Sequence, residues 1–87
     1  MPEGWRWLAD HYHWSERETE VAQLMVAGLE GKMIAHELDV SEETVHTHVK
    51  SLYKKTRVRS QALFLGKLAM RCPLRLHRKV AEEDSDP

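Results

Sequence analysis

KMIAHELDVSEETVHTHVK, residues 32–50, holds two helical patterns and a short interruption between them. In the first pattern Ile34, Ala35 and Leu38 recur at the spacing of one helix face, which predicts a helix over about 32–38. Asp39-Val40 then breaks the pattern as a turn. Ser41 follows with Glu42 and Glu43. A serine hydroxyl can accept from the free N–H groups of a helix start, and acids in the first turn suit the positive end of the helix dipole. The second helix is therefore expected over about 42–56. Val45, Val49, Leu52 and Thr56 form its inward stripe, and His46, Thr47, Lys50 and Lys54 an outward one. Small Ala35 allows the two helices to approach closely.

Outward from this unit the patterns remain helical, and no segment alternates as a strand would. Upstream, Ser15-Glu16-Arg17-Glu18 is a capping-box sequence ahead of Val21, Leu24 and Met25, with Gly28 as a left-handed stop. Further upstream, Trp5, Leu8 and Tyr12 share a face of a short helix that Pro2 can open. Downstream, Val58 returns to the core and Ser60 caps a helix over about 61–71 that Pro73 ends. That last helix is apolar on more than one face, so it calls for a partner besides its own core. The fold class read from these patterns is all-α: a four-helix bundle with an extra short N-terminal helix. Residues 1–13 read as an aromatic N-terminal extension, 14–72 as the domain, and 73–87 as a basic then acidic tail of disordered composition.

The formal net charge of -1 conceals a strong polarity. No Asp or Glu occurs from Thr44 to Ala81, a stretch with ten bases: Lys50, Lys54, Lys55, Arg57, Arg59, Lys67, Arg71, Arg75, Arg78 and Lys79. The first 43 residues hold ten acids and three bases, and Glu82, Glu83, Asp84 and Asp86 lie near the end. Phosphate binding depends on a local positive surface rather than on the chain total, so nucleic acid is the partner this distribution favours. The single Cys72 excludes an internal disulfide and fits a reducing, cytoplasmic setting. No apolar run is long enough to span a membrane. The histidine pairs His11/His13 and His46/His48 sit two apart, which divides them between different sides of a helix, so no metal is expected. There is no nucleophile–base pair and no Gly-rich phosphate loop, and neither enzyme activity nor a cofactor is expected.

A short helix, a tight turn and a longer helix with an exposed polar stripe make a helix-turn-helix. The residues that compose it resemble a known family. Ser15-x-Arg17-Glu18-x-Glu20-Val21, Gly28-Leu29, Lys32-Met33-Ile34-Ala35 and Leu38-Asp39-Val40-Ser41-Glu42-x-Thr44-Val45-x-x-His48-Val49, then Lys55 and Val58, are similar to the LuxR-type (GerE-like) helix-turn-helix of bacterial transcription regulators. The resemblance spans residues 14–65 and is strongest to the output domains of nitrate-type response regulators. It implies a sequence-specific DNA-binding regulator; the family's receiver or ligand-sensing domain is not among these residues, so if the chain is complete it is expected to resemble the stand-alone members. The helix over about 42–56, third of the four, would read the major groove of double-stranded DNA. It further implies base contacts from His46, Thr47 and Lys50, and phosphate contacts from Lys32, Thr44, Lys54 and Arg59. The last helix would join two copies as a homodimer, with Leu65 and Leu68 as candidate contacts. Four positions depart from the family pattern: His46 stands where Lys is usual, Gly31 where Asn is common, Arg57 where Gly is common, and Gln61 in place of an Arg that often contacts backbone.

A second function class also fits the sequence. The helix-turn-helix core can serve as a protein-interaction module, with the segment bearing Trp5 and Trp7 and the last helix binding RNA polymerase or another regulator. The tryptophans, Trp14 among them, read first as core-capping residues. His48 lies toward the flank of its helix and reads as structural.

Overall fold

The computed structural model describes residues 3–71, and every element among them is a helix. They are α1 (Glu3–Tyr12), α2 (Glu16–Val26), α3 (Gly31–Leu38), α4 (Glu42–Thr56) and α5 (Gln61–Arg71). The expected tail 73–87, with Cys72, lies outside the described residues. Helix starts follow the local signals. Ser15 Oγ accepts from Glu18 N at 3.1 Å, and the Glu18 carboxylate accepts from Ser15 N at 2.8 Å. Ser41 Oγ accepts from Thr44 N at 3.0 Å, and Ser60 Oγ accepts from Leu63 N at 3.2 Å. α3 begins one residue earlier than expected, after Glu30, with no side-chain cap.

The helix ends share one device. After α1, α2, α3 and α4 stands a residue with positive φ: His13 (60°), Gly28 (96°), Asp39 (57°) and Arg57 (62°). The next residue then donates its N–H to a carbonyl five positions back. These bonds are Trp14 to Ala9 at 2.9 Å, Leu29 to Leu24 at 3.1 Å, Val40 to Ala35 at 2.9 Å and Val58 to Tyr53 at 3.0 Å. This is the Schellman arrangement, which satisfies orphan carbonyls and turns the chain. In each case the donor is an apolar residue buried in the core or packed against it. Burial of that residue holds the turn, so three of the four turns do without glycine.

The core is continuous. Leu8, Val21, Ile34, Val45, Leu52, Phe64 and Leu68 are almost wholly buried. α4 packs on both α2 and α3, and α1 packs on α2. Aromatic rings link the outer helices: Tyr12 to Trp14 (5.6 Å), Trp14 to Phe64 (5.9 Å) and Tyr53 to Phe64 (5.5 Å). Trp14 also donates from Nε1 to the hydroxyl of fully buried Thr56 at 3.3 Å. The short N-terminal helix expected from Trp5, Leu8 and Tyr12 sends Leu8 and Tyr12 into the same core as Phe64 and Leu68. One reading of the sequence is revised here. Leu68, expected to face a second copy, is 0% exposed within its own chain, and Leu65 is half-buried against the core. The large apolar side chains that α5 shows to solvent are Leu63 and Met70.

Candidate nucleic-acid interface

α4 carries different chemistry on its two sides. On the inner side Val45, Leu52 and Thr56 are buried, and Val49 packs against them. Beside this apolar strip, Ser51 and Lys55 reach Glu18 of α2. Lys55 Nζ donates to Glu18 Oε1 at 2.7 Å, and Ser51 Oγ to Oε2 at 2.5 Å. With Ser15 N as the third donor, the buried carboxylate is satisfied by charge and by hydrogen bonds. Burial alone would push its pKa up. The bonds from Lys55, Ser51 and Ser15, with the Lys55 charge, outweigh burial and hold it at about 2. Lys67 is likewise directed inward, donating to the Thr56 carbonyl at 2.8 Å and so closing the C-terminal end of α4.

On the outer side His46, Thr47, Lys50 and Lys54 are exposed along about two and a half turns. The Thr47 hydroxyl donates to the Glu43 carbonyl at 3.1 Å. Its proton is thus engaged within the helix, and a methyl group and oxygen lone pairs remain for an outside partner. Thr44 Oγ1 accepts from Ser41 at 2.9 Å, which leaves its own proton for an acceptor such as a phosphate oxygen. Lys32 is exposed at the start of α3, and Arg57 and Arg59 are exposed in the link from α4 to α5. Each residue expected at a DNA contact is therefore solvent-facing. His46, Thr47, Lys50 and Lys54 share one face of α4, with Thr44 at its first turn. Lys32 and Arg59 stand on neighbouring elements. His48 is half-buried on the flank, as its position suggested.

His46 also lines a cleft of about 540 Å³ with Glu30, Glu42, Ile34, Val49 and Gln61. The two carboxylates make that cleft unsuited to phosphate, so the positive surface lies further along α4, at Lys50 and Lys54. Burial pushes the hydroxyl of Tyr53, which also lines the cleft, above its ordinary pKa. Among the described residues, no group of three or more His, Cys, Asp or Glu is placed to hold a metal ion. No helix among them is long and apolar enough to cross a membrane.

Lys55 and Lys67 belong to the same basic stretch of sequence, whereas both are committed to partners within the fold. The signal was available for Lys55. It stands four residues after Ser51, away from the stripe of His46, Lys50 and Lys54, on the side that meets α2. Arg57, which the sequence pattern does not single out as a contact, is placed in solvent between Lys54 and Arg59 by its left-handed turn.

Comparison with known proteins gives a consistent picture. Residues 13–64 match the family described as bacterial regulatory proteins, luxR family. The nitrate/nitrite response regulator protein NarL of Escherichia coli is 44% identical over 45 residues, which are 52% of this chain and 21% of that protein. Transcriptional regulatory protein FixJ of Rhizobium meliloti is 44% identical over 46 residues, 53% of this chain and 22% of FixJ. HTH-type transcriptional regulator MalT of Vibrio cholerae is 41% identical over 44 residues, 51% of this chain and 5% of MalT. The chain thus spans about a fifth of the first two relatives and far less of the third. No solved structure gives a significant match.

Proposed function

Because the chain belongs to the luxR family of bacterial regulatory proteins, we propose that it is a DNA-binding transcriptional regulator whose α4 enters the major groove. The observation that carries this reading is the division of α4. Its inner side is fixed to α2 through Glu18, while His46, Thr47 and Lys50 project from the other side, with Lys54 on the same face. A fixed helix presenting donors of differing reach is what base-edge recognition requires. His46 and Lys50 offer hydrogen-bond donors to purine acceptors, and Thr47 a methyl group to a thymine methyl. Lys32, Thr44, Lys54 and Arg59 contact phosphates and fix the register.

The same reading makes the active form a homodimer on two half-sites. Its contact surface is the exposed face of α5, formed by Leu63, Gly66 and Met70. These stand three and four residues apart beside a groove of about 580 Å³. Nothing lies within 4 Å of a side-chain carbon built at Gly66, so a second backbone can approach there.

The direct test is affinity for duplex DNA across a salt series. Six or so phosphate contacts give a slope of log K on log salt of about −5, through counterion release. A slope near zero would remove the reading. One observation favours a protein-interaction role beside it: Trp7 is 39% exposed and stacked on His11 at 4.8 Å on the outer face of α1. Loss of partner capture in Trp7→Ala, with DNA binding intact, would establish that second surface.

A further inference from the structure

Lys54, Arg57 and Arg59 form a cationic edge where α4 gives way to α5, exposed and with no acid nearby in sequence. Among the described residues, none of the three donates to a side chain or carbonyl in the way that Lys55 and Lys67 do. Arg57 and Arg59 line one groove with Met70. Met70 stands one residue before the end of α5, so the chain leaves α5 beside this edge. Eleven residues further on come Glu82, Glu83 and Asp84, then Asp86. A tether of that length reaches up to about 36 Å extended and averages roughly 18 Å if flexible. α4 itself is only about 22 Å long. The acids therefore reach the whole edge, at an effective concentration in the millimolar range.

We infer that the acidic segment 82–86 docks on the edge formed by Lys54, Arg57 and Arg59 and competes there with DNA phosphates. The inference rests on the DNA-binding reading for its consequence, but the docking itself does not. The complementarity is electrostatic: four carboxylates meet three uncommitted cations, with Lys50 one helical turn away. The contact is solvent-exposed, so it is weak and screened by salt. That suits a competitor: it raises the threshold for non-specific DNA and yields to a site with good base contacts. Arg75, Arg78 and Lys79 are the rival partners for the acids, being closer in sequence. The test must separate the two.

A spin label is placed on the full chain through Ser85→Cys, with Cys72→Ser to remove the other thiol, and backbone amide signals are recorded at low salt. Docking broadens the amides of residues 54–60, and the broadening vanishes at high salt and in an Arg57→Gln, Arg59→Gln double variant. Broadening confined to residues beyond 72 overturns the inference, whatever DNA does. Duplex affinity is then compared between the full chain and one lacking residues 82–87. The truncated chain is expected to bind about three- to ten-fold more tightly at low salt, with the gain lost near physiological salt. Docking without that gain overturns the competition. Absence of DNA binding by both chains refutes the DNA-binding reading and the competition with it, and leaves docking to be judged by the label alone.

Discussion

Lys50 and Lys55 stand five residues apart on one helix and serve different ends. Lys55 is held against a buried carboxylate 37 positions earlier in the chain. Lys50 points into solvent beside His46 and Lys54. On the inner side of α4 the positive charge is neutralised within the protein and fixes the helix. On the outer side it is left unneutralised and available. Counting basic residues treats the two alike; the geometry separates a residue that ties α4 to α2 from one that the proposed function assigns to DNA.

The sharpest way to break this contrast is to remove each ammonium in turn. Lys55→Met keeps the stem but leaves Glu18 buried without its cation. It should lower unfolding stability by about 2–3 kcal/mol, toward the low end for a broken buried pair because Lys55 is partly exposed. Chemical denaturation measures this; DNA affinity of the folded fraction should change little, because Val45, Leu52 and Thr56 still seat α4 in the core. Lys50→Ala should do the reverse. Stability stays within about 0.5 kcal/mol, while specific binding weakens by about 1–3 kcal/mol, or roughly five- to 150-fold. Fluorescence anisotropy with a labelled duplex reads it.

Acidification tests the inner side alone. The Glu18 pKa is about 2 in the folded chain against an ordinary 4.5. A depressed carboxylate contributes stability that is present above the unfolded value and lost as pH falls toward the folded one. Stability should therefore decline between about pH 5 and pH 2 by an amount on the order of 2–3 kcal/mol. Glu18→Gln should flatten that part of the profile while lowering stability at neutral pH.

Smaller effects sharpen the picture at the helix ends and on α5. Arg57→Gly relieves a left-handed backbone and should stabilise the fold by about 0.5–1 kcal/mol, offset in part by greater freedom of the unfolded chain. It also removes a cation, so non-specific DNA binding should weaken slightly. Gly66→Ala should stabilise the monomer by about 0.5–1 kcal/mol, since glycine is a poor residue inside a helix. If two copies meet at this face, the same change weakens self-association in sedimentation. An unchanged dimer constant would place the contact elsewhere.

Much of this was legible in sequence because it is local. Ser15 with Glu18 and Ser41 with Thr44 lie within one turn, so the starts of α2 and α4 could be read directly. The helix-turn-helix and its outward stripe followed from spacing. Three things were not local. The stops at His13 and Arg57 lack glycine and depend on burial of Trp14 and Val58, which only the assembled core supplies. The roles of Lys55 and Lys67 depend on Glu18 and the Thr56 carbonyl, 37 and 11 residues away. The inward face of α5 could not be chosen from a helix apolar all round. Phe64 meeting Trp14 and Tyr53 turns Leu68 inward and leaves Leu63 and Met70 outside.

The most direct test of the division of α4 is selection from random-sequence duplex DNA by three proteins: the natural chain, Lys50→Ala and Lys55→Met. The natural chain should enrich a two-fold-symmetric site. Lys55→Met, kept below its unfolding temperature, should enrich the same site, and Lys50→Ala should lose it. Enrichment of one site by all three, or of none by the natural chain, would contradict the assignment of the outer face of α4 to DNA.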